Sequence, residues 1–321
     1  MLYAHKTFGS SLGPLAVNEP LDRAIWIDLY RPLDSQVALV EALDVKVPTL
    51  ADMEEIEMSN RIYRQGDVSY MTAVLPGQLP DGKSTAMPVT FILTPDRLVT
   101  VRHHAPRPFY TYPPRAGLAP TDPDCPDGVF LGLVDDIVAY LADMSEGAGY
   151  ALEEVSADVF SPTSQRRSAQ LERALQRTGA QAEVMSRVRL GLLSLGRVLA
   201  FHNLMMAGHP GHRGTPLRQN SKAIMRDIQS LEVHADFLST RVQLIVDATM
   251  GMINLAQNST MRILSVVTAL FLPPTLIASI YGMNFDHMPE LHWRYGFVWA
   301  LGLMVASAAG TWILARLMKW L

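Results

Sequence analysis

Residues 263–280 read ILSVVTALFLPPTLIASI, the loop beginning YGMNF at 281–285 follows, and a second apolar run, YGFVWALGLMVASAAGTWILA, fills 295–315. Neither run holds a charged residue, and each reaches the length of a membrane helix, about 20 residues. Arg262 precedes the first run, and Arg316 and Lys319 follow the second. Basic flanks on the same side of the bilayer predict both termini in the cytoplasm, with residues 281–294 as the outer loop, periplasmic in a cell inner membrane. The outer loop carries Asp286, Glu290 and Arg294, slightly acidic on balance, as suits a surface that meets cations first.

Working outward, the stretch upstream is also helical. From Pro216, well placed in a first helical turn, the chain meets no proline until Pro273. One helix of roughly 64 residues, on the order of 95 Å, therefore runs through the first span. Ile224, Ile228, Leu231, Ala235, Leu238, Val242, Ile245, Thr249 and Met252 step by fours and threes, an apolar seam for neighbouring helices. A second stripe is polar: Asp247, Gly251, Asn254, Asn258, Met261, Ser265, Thr268, Leu272, Thr275, Ser279 and Gly282. It starts about 200° round the helix from Ile245 and continues through the span. Hydroxyls and amides in register inside a membrane are costly unless they face other helices or a wet lumen. Ser and Thr can also satisfy themselves on the carbonyl one turn back, and small residues can serve packing alone. The stripe as a whole fits a pore wall better, with Asp247 and Asn254 at its inner mouth. Two spans cannot enclose a lumen, so the pore reading requires a cyclic homo-oligomer. Pro273-Pro274 frees carbonyls in mid-span, either as a simple kink or for the pore.

The composition, with 49% hydrophobic and 18% charged residues and a mean hydropathy of +0.12, fits a soluble body on a small membrane anchor. The first residues, MLYAHKTFGSSLGP, lack a signal-peptide core, which keeps the body in the cytoplasm. The single cysteine, Cys125, can form no internal disulfide. A net charge of −4 without a basic stripe argues against nucleic-acid binding. Residues 1–130 read as an α/β domain. Ala24 to Leu29 is strand-like, and Asp34 or Ser35 can cap a helix through Leu43. Strands at 61–64 and 68–75 flank Gly66-Asp67, and strands at 89–93 and 98–103 flank Pro95-Asp96. Seven prolines between Pro106 and Pro126 argue against a continuous helix there. Residues 131–215 form a helical hairpin, 216–262 a stalk helix, 263–280 and 295–315 the spans, and 316–321 a basic cytosolic tail. The fold class is an α+β N-terminal domain, a long stalk helix and two C-terminal transmembrane helices.

Gly282-Met283-Asn284 at the outer end of the first of two C-terminal spans resembles the CorA family of magnesium channels. The likeness extends to Met250-Gly251-Met252-Ile253-Asn254 with Gln257-Asn258, and to Phe271-Leu272-Pro273-Pro274-Thr275-Leu276. It also covers Met288-Pro289-Glu290-Leu291 and the terminal Lys319-Trp320-Leu321. Upstream, Ala51 to Glu57 and Arg226-Asp227-Ile228 are similar to cytosolic segments of that family. The resemblance implies a funnel-shaped homopentamer and a potential-driven channel for Mg2+, with Co2+ and Ni2+ as further ions. It also implies an outer selectivity ring at Asn284, with Gly282 and Met283 fixing the turn, and a narrow pore lined by Asn258, Met261, Leu264, Leu272 and Thr275. Gating by cytosolic Mg2+ would use acidic groups between subunits: Asp227 first, then Glu232, Asp236 and Asp52, each of which can also be a solvated surface acid. No organic cofactor is implied, and Mg2+ is both the transported and the regulatory ion. A related zinc-transport branch shares Gly-Met-Asn, and a tethered cytosolic sensor is the alternative from another class.

Other residues carry less. His103-His104 sits where strand neighbours point to opposite faces, and His202, His209 and His212 lack ligand spacing. Met205 and Met206 suit a core. No nucleophile elbow, phosphate loop or zinc signature occurs, so the reading is not that of an enzyme.

Overall fold

The computed structural model describes residues 1–9, 11–16, 18–55, 57, 61–118, 121, 123–161, 168–207, 214–283 and 293–317. The chain divides into two compact units: residues 1–156 with 176–245, and residues 157–175 with 246–321.

The first unit is built on a seven-stranded sheet, in order β2-β1-β3-β7-β6-β5-β4. Its strands are β1 (Leu2–Phe8), β2 (Ser11–Pro14), β3 (Trp26–Tyr30), β4 (Ile62–Gln65), β5 (Val68–Gln78), β6 (Ser84–Leu93) and β7 (Leu98–Arg102). Only β3 and β7 pair in parallel, with Asp28 opposite Thr100 and Tyr30 opposite Arg102. The β4–β5 turn holds Gly66 at φ 61°, which explains a glycine there. Parts of the sheet escape the sequence reading. β1 and β2 come from the N-terminal stretch considered above only as a leader, and the β5–β6 hairpin extends well before 89, closing where Leu79 donates its N–H to Lys83 O at 2.9 Å.

Alternation along β3 assigns the two faces of the sheet. Ile27 and Leu29 join Val99, Val101, Ile92 and Tyr70 in a core with Val40 and Met53, which belong to α1 (Asp34–Glu41) and α2 (Leu50–Glu54). The cap of α1 is Leu33 rather than Asp34 or Ser35. Leu33 is extended, and its N–H donates to Gln36 Oε1 at 3.1 Å, which leaves Asp34 in the first turn where its charge suits the helix dipole. On the other face Trp26 lies 6.1 Å from Phe109 and 5.9 Å from Tyr112, and Phe91 meets Phe130 edge-on at 5.6 Å.

Phe109 and Tyr112 stand on α3 (Pro108–Arg115), a helix inside the proline-rich stretch. The helix is short, and among the described residues no continuous helix runs from Pro106 to Pro126, though the prolines left room for one of eight residues. Pro108 lies in the first turn, where no N–H is needed, and Pro113 and Pro114 come at the end, so only a turn of hydrogen bonds is lost. Three long helices follow: α4 (Pro126–Phe160), α5 (Ser168–Ala207) and α6 (Gly214–Tyr281), then α7 (Gly296–Leu317). Cys125 caps α4. Its Sγ accepts from Gly128 N–H at 3.3 Å, the place a serine oxygen usually fills, which gives that part of the loop a structural role. Within the first unit α5 fastens to β5 through Ser194, whose Oγ accepts from Val74 N–H at 3.0 Å. Most of the apolar seam is buried where it lies in this unit: Ile224, Ile228, Ala235, Leu238 and Ile245 are in the core, and Leu231 and Val242 are half-buried.

Candidate ion path

The outer half of α6 and all of α7 belong to the second unit. These are the two helices of the chain that are long and apolar enough to cross a membrane, among the described residues. α6 remains helical through Pro273 and Pro274. Since proline has no N–H, the carbonyls of Ala269 and Leu270 have no backbone donor one turn on.

Among the described residues, the chain covers one face of each membrane-spanning helix. On α6 the half-buried positions Val266, Leu270, Pro273, Ile277 and Tyr281 form one line. Leu270 and Leu272, like Ile277 and Ser279, are two residues apart and so about 200° round the helix. The predicted pore positions therefore lie on the opposite, uncovered face. Asn254, Asn258, Ser265, Thr268, Thr275, Ser279, Gly282 and Met283 are exposed, as are Met261 at 61%, Leu264 at 59% and Leu272 at 64%. On α7 the covered line is Gly296, Ala300, Met304, Ser307, Thr311 and Ala315, mostly small side chains that let another backbone approach closely.

The stripe's hydroxyls are held locally. Ser265 Oγ donates to Met261 O at 2.9 Å, Thr268 Oγ1 to Leu264 O at 2.9 Å, and Thr275 Oγ1 to Phe271 O at 2.7 Å. Each proton is used inside the helix, which removes the cost of burying it, and each oxygen keeps lone pairs for a water or hydrated ion. At the outer end Gly282 N–H still bonds Ala278 O at 2.9 Å, and Met283 N–H turns to Ile280 O at 3.3 Å. A Cβ on Gly282 would stand 3.1 Å from Ala278 O, so the chain leaves the helix where a side chain would be tight. Asn284 and the 288–291 segment lie outside the described residues.

The predicted regulatory acids separate by environment. Asp227 is exposed, and its charge acts on Asp135 of α4. Burial, then Asp227 and Asp136, push the Asp135 carboxyl above its usual range. Asp135 is the partner that sequence reading missed, since nothing along the chain relates position 135 to 227. Asp236 pairs with Arg189 at 3.2 Å, and Glu232 is half-buried on α6. Asp52 closes a capping box, accepting from Thr49 N–H at 2.9 Å and Oγ1 at 2.7 Å, and these bonds hold its carboxyl below the usual range. Asp247 is exposed. Among the described residues no three His, Cys, Asp or Glu side chains are grouped to hold a metal ion.

The first unit holds a polar centre that the sequence reading passed over. Arg102 and Asp28 are both buried, with Arg102 Nη2 2.8 Å from Asp28 Oδ2. Asp28 Oδ1 also accepts from Thr100 Oγ1 at 2.8 Å, and Arg102 Nη1 donates to His104 O at 3.1 Å and Tyr110 Oη at 3.2 Å. The visible signal was an aspartate and an arginine inside otherwise apolar strands. His104 is buried with Nε2 2.8 Å from Leu75 O, and His202 Nε2 donates to Asp127 Oδ1 at 2.9 Å. His209 and His212 lie outside the described residues.

A family model for the CorA-like Mg2+ transporter protein matches residues 22–316. The chain belongs to the CorA family. A CorA relative, the magnesium transport protein CorA of Haemophilus influenzae, is 33% identical over 302 residues, covering 94% of this chain and 93% of its own. The protein of the same name from Escherichia coli K12 is 31% identical over the full length of both chains. The CorA magnesium transporter of Methanocaldococcus jannaschii superposes with a TM-score of 0.74 at 17% identity, over 100% of this chain and 99% of the other. The CorA fold is therefore that of this chain: an α/β domain, a long helix and a C-terminal helix.

Proposed function

We propose that this chain is one subunit of a homopentameric channel that carries Mg2+ inward across the cytoplasmic membrane, with Co2+ and Ni2+ as further ions. The observation that carries the reading is the uncovered polar stripe of α6, set opposite the one face the chain covers itself. A lumen needs such a face from each copy, and the family resemblance supports five copies. Relatives named as magnesium transport proteins support the ion.

In this scheme the Asn284 ring, on the turn set by Gly282 and Met283, receives the ion at the outer mouth. Magnesium releases its waters reluctantly, so neutral amide oxygens hold the hydrated ion through its shell and still let it leave. Thr275, Thr268 and Ser265 offer hydroxyl oxygens along the wall, and Leu272, Leu264 and Met261 form apolar narrows that close by dewetting. Asn258 and Ser279 also line the pore, and Asn254 and Asp247 form its inner mouth. A divalent ion gains roughly 4.6 kcal/mol per 100 mV on moving inward, which suffices without a nucleotide. Both termini face the cytoplasm, as the Arg262 and Arg316 flanks favour. Cytosolic Mg2+ gates the channel by bridging carboxylates. Asp227 is the leading ligand, with Asp135 beside it, and Glu232 is a further one. Asp52 and Asp236 already serve a cap and an ion pair.

Purified protein in liposomes under an imposed potential tests this. Magnesium influx is expected, and Asn284→Ala should lose flux or selectivity. Unchanged flux and selectivity in Asn284→Ala overturn the outer ring. Proton-coupled zinc uptake without magnesium flux overturns the ion in favour of the zinc branch, and no cation flux at all leaves a tethered sensor.

A further inference from the structure

The loop-side end of α7 carries a groove that ion conduction does not use. Trp293, Arg294, Val298, Trp299, Gly302 and Leu303 line about 770 Å³ along the helix surface. Its chemistry changes along its length. At the top, the Arg294 guanidinium lies 6.0 Å from the Tyr295 ring centroid, and the two indoles meet edge-on at 6.5 Å. Below, the lining is aliphatic, and among the described residues a Cβ on Gly302 would meet nothing within 4 Å, so a glycine there leaves the groove open.

A second pair of the same kind closes the other end of the helix, Arg316 over Trp312 at 5.4 Å. The two arginines are roughly 22 residues apart, about 33 Å along a helix. The hydrocarbon layer is about 30 Å thick, so each arginine and its aromatic partner falls at a headgroup layer. The groove thus starts among headgroups and descends into the acyl region. It also lies on the far side of α7 from the covered line of Gly296, Ala300 and Met304. Gly302 is two residues from both Ala300 and Met304, about 200° round the helix.

Resting on the reading of α7 as a span, we propose that this groove binds a bilayer phospholipid in the loop-side leaflet. Arg294 takes the phosphate, the indole N–H groups of Trp293 and Trp299 donate at the level of the glycerol esters, and an acyl chain lies along Val298, Gly302 and Leu303. A cation at the headgroup layer calls for an anionic partner, which a phosphate supplies and the apolar flank of a second copy does not.

Full-length protein in detergent, titrated with phosphatidylglycerol and read by native mass spectrometry, tests the site. Wild type should retain lipid. Arg294→Gln should bind about fivefold more weakly, the effect of one basic residue at a headgroup surface. Gly302→Leu, which fills the groove, should lose the adduct. Brominated phosphatidylglycerol should quench the fluorescence that Trp299→Phe removes. Equal binding by both variants places the lipid elsewhere and overturns the proposal. An absence of Trp299 quenching in wild type means that another copy covers the groove, with the same consequence. Magnesium flux is measured separately on the wild type; flux without lipid binding ends this proposal and leaves the channel reading in place.

Discussion

Lowering the pH from 7.5 should unfold the sheet domain progressively, with His104 as a principal cause. The ring is buried at the end of β7, and Nε2 is 2.8 Å from Leu75 O, while Nδ1 has no partner among the described residues. Burial, with Arg102 and His103 adding to it, lowers its pKa to about 4 from 6.5. A histidine held neutral in the fold contributes stability that is complete above the unfolded pKa of 6.5 and is lost as pH falls toward the folded value. The loss attributable to this one group is about 2 kcal/mol at pH 5 and about 3 kcal/mol at pH 4. The assay is urea denaturation of the full-length protein in detergent, followed by circular dichroism at pH 7.5 and pH 5. His104→Gln keeps a donor for Leu75 O and cannot charge. It should lose about 2 kcal/mol less than wild type over that interval. His5 and His103 are lowered by burial, and Asp135 is raised, but all three are present in both proteins and cancel in the difference. Parallel pH dependence in the two proteins would refute the reasoning.

Two further predictions concern residues that the sequence left unread. Arg102→Met strands Asp28 in the core and should cost about 3–5 kcal/mol in a denaturation series, whereas Arg102→Met with Asp28→Leu should recover much of that loss. Cys125→Ala should remove the cap of α4 at a cost of about 1 kcal/mol, and Cys125→Ser should leave stability nearly unchanged because the hydroxyl takes over the Gly128 N–H.

Helical parts of the fold were legible because their signals are local. Pro216 marked the first turn of α6 within two residues of its start at Gly214, and the apolar seam from Ile224 to Ile245 named the buried face. Less legible were elements that depend on distant partners. β1 has four half-buried residues in succession and little alternation, and it becomes a strand because β2 and β3 pair with it. Similarly, α3 forms among prolines because Phe109 and Tyr112 pack on Trp26. The stripe of α6 was readable as a period, yet its two readings, satisfied hydroxyls and a polar wall, are not exclusive. Thr275 makes its bond to Phe271 O on the uncovered face.

The sequence by itself determined the two apolar runs, the long helix, the stripe from Asp247 to Gly282 and the motif that relates the chain to CorA, because length, period and motif are properties of neighbouring residues. Only the tertiary structure decided which face of α6 stays uncovered, that the charge of Asp227 acts on Asp135, and that Asp28, Thr100 and Arg102 form one buried network. Those facts arise where segments far apart in the chain share a dehydrated interior, and a polar group's partner there is set by the packing of whole elements.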